Sequence, residues 1–206
     1  MPPAASLEPA PKSPLAALRA RARAWCAGKA WGLRAVVAAI LALDAMRVLA
    51  APVERAGLFG GITLAFHEMG HVLFSPFGEW FAVSGGSITQ LAIPIVASLL
   101  LLQQGDFFGG AVVLQWLAES LARLSVYIAD ARAQDLPLVS LGGGDDGPIH
   151  DWHYLLGRAG LLRWDVSFGR LTHLLGWIVC LASLALCAWL VREMIRQPAP
   201  SPSALA

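Results

Sequence analysis

His67-Glu68-Met69-Gly70-His71 lies inside an apolar run from Leu58 to Phe77. Residues four apart on an α-helix share one face, about one turn apart along the axis. His67 and His71 can therefore offer two imidazole nitrogens to one Zn²⁺, and Glu68 beside them is placed to act as a general base toward a water. The plainer reading is chance, since two histidines and a glutamate are common enough to fall at this spacing in a soluble helix. In an apolar segment, a carboxylate and two imidazoles are costly unless partnered, which makes them functional candidates.

The rest of the composition agrees with an apolar environment. The chain has 206 residues, 57% of them hydrophobic and only 14% charged, with a mean hydropathy of +0.61. An ordinary soluble domain is less apolar and more charged, so one all-α, polytopic, membrane-embedded domain over residues 31–192 is expected. A net charge of +1 says nothing about nucleic acid, and no basic-aromatic surface pattern suggests it as a partner. Cys26, Cys180 and Cys187 have no CxxC spacing and read as apolar residues, not a disulfide framework. Met1–Ala30, rich in Pro and Ala with scattered Lys and Arg, reads as a disordered start followed by a short basic juxtamembrane helix. No cleaved signal peptide is expected there. Residues 193–206 read as a disordered tail.

About five stretches approach the 20 residues needed to cross a bilayer: Trp31–Ala51, Leu58–Phe77, Ser87–Gln103, Phe107–Ala131 and Phe168–Val191. The third is short and holds Pro94, so a four-span version with that segment re-entrant is the alternative. A basic N-terminus held in the cytoplasm places Gly78–Gly86 and Arg132–Ser167 on the cytoplasmic side after five crossings, in a bacterial inner or plasma membrane. Arg192 and Arg196 then fall on the outer side, against the same bias. Gly78–Thr89 alternates apolar and polar residues and reads as a short hairpin or a plain connecting loop.

A catalytic zinc usually takes three protein ligands and a water. The long loop supplies candidates in Gly142–Tyr154, where three glycines and Pro148 precede His150-Asp151-Trp152-His153. Asp151 ranks first, as a carboxylate at a helix start. His150, Asp146 and His153 follow as alternative ligands or as groups that orient the ligands. A solvated loop with Asp151 capping the next helix is the plainer reading.

HEMGH in an apolar span, a Gly-rich interior and a later Asp-containing segment resemble the site-2 protease class of intramembrane zinc metallopeptidases. The resemblance implies His67 and His71 as zinc ligands, Glu68 as general base and an aspartate from the later segment as third ligand. It also implies a membrane-protein or peptide substrate. The family's aspartate precedes glycine, which Asp146-Gly147 matches literally and Asp151-Trp152 does not. A membrane protein that holds metal without proteolysis, as a transporter, sensor or scaffold, uses the same ligands. A structural membrane protein with a chance HExxH needs none.

Gln115, Glu119 and Arg123 stand four apart in the fourth stretch, and Glu119–Arg123 is the favourable order for an ion pair. A paired charge facing the bundle interior is the structural expectation, and a polar lining toward the metal the functional one. Asp44 with Arg47 is similar, and His173 reads as an interfacial residue.

Overall fold

The computed structural model describes residues 13–51, 57–137 and 150–198. Within them the chain is helical, with no strand. The helices are α1 (Pro14–Cys26), α2 (Gly32–Ala50), α3 (Gly60–Phe74), α4 (Glu79–Gln103), α5 (Phe107–Ala129), α6 (Asp151–Arg158) and α7 (Asp165–Arg196). Three stretches are long and apolar enough to cross a membrane: α4, α5, and α7 with its preceding turn. This is fewer than the five expected. Helix α2 carries Arg34, Asp44 and Arg47, and α3 is only 15 residues long.

Helices α5 and α7 form the spine. They run antiparallel, and small residues recur along the contact. Gly169 lies against Ser125 and Ala129, and Gly176 against Ala118 and Ala122. Ser183 donates to the Ala111 carbonyl at 2.8 Å. Where hydrocarbon supplies no hydrophobic drive between helices, close backbone approach and interhelical hydrogen bonds hold them together. Cys180 and Cys187 are buried in this seam, as apolar residues would be.

Helix α2 runs parallel to α5: Val37 and Ala38 pack near Phe107 and Leu190, and Leu49 near Ala122. Helix α3 points the same way but starts partway along the bundle, where Thr63 meets Ser120 and Trp116. The backbone amides of Leu58 and Phe59, just ahead of its first turn, donate to Asp44 Oδ2 at 3.1 Å and Glu119 Oε2 at 3.2 Å. Helix N-termini leave such amides unpaired and favour carboxylates. Glu119 and Asp44 thus hold the start of α3. Neither Arg123 nor Arg47 forms an ion pair among the described residues.

At Gly78 (φ 99°) the chain reverses into α4. The expected hairpin or loop at Gly78–Thr89 is instead the first part of a 25-residue helix that continues through Pro94. Its glycines have another use. A Cβ on Gly70 would strike the Gly85 backbone, and one on Gly85 the Gly70 carbonyl. Without side chains at these two positions, α3 and α4 approach at backbone distance. Helix α7 likewise continues to Arg196, past the tail boundary expected at 193, because Glu193 and Met194 are buried against α1.

Candidate metal centre

The α3–α4 contact sets the first two candidate ligands. His71 Nδ1 lies 2.8 Å from the Ala82 carbonyl, which can only accept, so Nδ1 carries a proton and, in the neutral ring, Nε2 keeps its lone pair. His67 Nδ1 lies 2.8 Å from Gln90 Oε1 in the same manner. Both Nε2 atoms face inward over Gly86, where a Cβ would stand 2.6 Å from His71 Nε2 and 2.8 Å from His67 Nε2.

Asp151 enters from α6. Its Oδ2 lies 3.1 Å from His67 Nε2 and 3.3 Å from His71 Nε2, yet no hydrogen bond satisfies this buried oxygen. With both rings neutral, three lone-pair-bearing atoms face one point and repel one another, and a cation at that point turns repulsion into ligation. Two imidazoles and one carboxylate make a donor set suited to zinc. The other way to satisfy Asp151 is a proton on one Nε2, and bound-metal content separates the two. With that proton in place, burial still pushes the Asp151 carboxyl up, but hydrogen bonding and charge from the histidines outweigh it.

Glu68 is buried beside the histidines, its carboxylate within 4.8 Å of their nitrogens. Asp151 Oδ2 stands against both Nε2 atoms, so the two carboxylates both border the space the rings share.

The other candidates among the described residues do not join this cluster. His150 accepts at Nδ1 from the His153 amide (3.2 Å) and donates from Nε2 to Asp130 Oδ2 (3.2 Å), so both its nitrogens are used within the bend that starts α6. Burial pushes its imidazole down, keeping it neutral. His153 Nδ1 donates to the Ala131 carbonyl at 2.8 Å. Asp145 and Asp146 lie outside the described residues. His173 is satisfied between Ser125 Oγ and the Trp177 indole N–H.

Four residues that sequence reading passed over support the centre. Tyr127 Oη accepts the Asp151 amide at 3.0 Å. Ser87 Oγ accepts the Trp152 indole N–H at 3.2 Å, tying α6 to α4. Gln90 orients His67, and Gly86 leaves room between the rings. Gln90 had a legible signal, as a lone amide in an apolar stretch. Gly86 and Ser87 had none, because the region reads as a loop.

Comparison of the chain with protein-family models, with curated proteins and with solved structures finds no match, so its chemistry is read from the site itself.

Proposed function

We propose that the protein is a membrane-embedded zinc metallopeptidase of site-2 protease-like type. The observation that carries this reading is the meeting of His67 Nε2, His71 Nε2 and the unsatisfied Asp151 Oδ2, with Glu68 alongside. Zinc bound there would polarise a peptide carbonyl and lower the pKa of a water. The chain's own residues do the rest. Gln90 and the Ala82 carbonyl hold the imidazole rings in the ligating tautomer, as partners of metal-bound histidines do. Glu68 takes a proton from the attacking water and returns it to the leaving amine. Burial of His67, Glu68 and Asp151 keeps bulk water from the site.

That same burial suits a protein that only holds the metal, and Glu68 separates the two readings. Glu68→Gln should keep the metal while hydrolysis of single-span membrane substrates falls by a factor on the order of 10² or more. Full activity in this variant would give Glu68 a different role, whereas metal binding with no cleavage by the wild type on any such substrate turns the assignment toward a binding protein.

A further inference from the structure

Helix α1 and the end of α7 lie at one end of the bundle, and the metal centre lies at the other. Helix α1 packs on Phe107, which begins α5, and on Leu190 and Met194 near the end of α7. The Gly28 amide donates to the Gln197 carbonyl at 2.9 Å. His67 and Asp151 instead meet Tyr127, twenty residues further along α5, or about 30 Å at 1.5 Å per residue. Between α1 and the metal the chain runs along the bundle once, in α2. Helix α3 adds no crossing, because it starts partway along and runs the same way.

This geometry removes the conflict left by a five-crossing count. Arg19, Arg21, Arg23, Lys29, Arg192 and Arg196 now share one end, with Glu193 and Asp106 as the described carboxylates there. Arg23 and Arg196 both reach Glu193, at 3.6 Å and 3.7 Å, so one carboxylate serves two guanidiniums. Trp25 and Trp189 lie under Lys29 and Arg19, at 4.8 Å and 5.8 Å, a pairing of aromatic and cation suited to a headgroup layer. The metal end carries Arg132, Arg158, Arg163 and Arg170, and Asp165 takes up Arg132 at 2.8 Å.

We infer that this basic collar sits in the anionic headgroups of the cytoplasmic leaflet, and that the metal centre opens toward the opposite, external face of the membrane. Clustered Lys and Arg beside apolar helices are drawn to anionic lipid and retained on that side. The inference rests on the membrane reading but not on catalysis. The centre would then act on peptide segments at the external face and draw its zinc from that compartment.

The test uses the full chain in a bacterial host, with its three buried cysteines retained. Ala133→Cys, in the exposed turn after α5, should react with an impermeant maleimide in intact cells. Ser13→Cys should react only after the membrane is breached. A green fluorescent protein fused after Ala206 should fluoresce, and an alkaline phosphatase there should be silent. Joint replacement of Arg19, Arg21 and Arg23 by Glu should invert a measurable fraction of molecules. Protected Ala133→Cys with labelled Ser13→Cys, a silent fluorescent fusion with an active phosphatase, or unchanged orientation in the triple variant each overturns the inference. Release of the wild type by alkaline carbonate instead sinks the membrane reading beneath it. Loss of cleavage alone, with this labelling pattern intact, counts only against the peptidase.

Discussion

Gly86 and His71 approach so closely that a single methyl group would not fit between them: a Cβ on the glycine would stand 2.6 Å from the imidazole Nε2. Alanine is the better helix former, so Gly86→Ala should leave the helical circular dichroism intact. Its methyl must turn both rings away from their Gln90 and Ala82 partners. Zinc affinity should drop by about ten-fold or more, the size expected when metal-bound histidines lose their orientation. Wild-type affinity in this variant would mean that the rings do not meet over Gly86.

Purified protein should hold about one Zn²⁺ per chain, as one three-ligand centre requires. His67→Ala and His71→Ala should each lose most of it by elemental analysis. Unchanged stoichiometry in both would remove the metal from this site.

Asp151→Asn keeps the shape of the side chain and removes the charge that faces both Nε2 atoms. Its zinc affinity should fall by roughly ten-fold or more. His150→Ala, which breaks the bond to Asp130, the cap on His153 and the ring contact with Tyr127, should retain the metal. The reverse ranking in titrations against a metal-buffering chelator would make His150 the ligand. Damage from Asp146→Asn would favour the aspartate that precedes glycine.

Gln90→Leu replaces the acceptor for His67 Nδ1–H with a side chain of similar size. Metal-bound histidines lose about 10- to 100-fold in metal affinity or activity when such a partner is removed, and a loss in that range is expected here. Gln90→Glu restores an acceptor and should recover most of the binding. Equal loss in both variants would reduce Gln90 to a packing role.

His67, Glu68 and His71 could be read from the sequence because a helix has a fixed period. Spacing alone places two imidazoles on one face, and an apolar setting makes polar residues expensive without partners. The all-helical character was legible for the same reason. Asp151 could be ranked first, but its meeting with the histidines depends on α6 docking against α4 and α5, which no local pattern encodes. The Gly78–Thr89 segment shows why. Its glycines and serines look like a loop because local propensity penalises them in a helix, yet α4 needs small residues there for α3 to reach backbone distance and for the rings to cross Gly86. The direction of α3 was equally hidden. A hydropathy profile counts apolar stretches as crossings, whereas Asp44 and Glu119 hold the amides that precede α3 partway along the bundle, so that this helix ends on the side where α2 had already arrived. Periodicity determined which residues could bind a metal. Packing between distant helices decided which of them meet and at which end of the bundle.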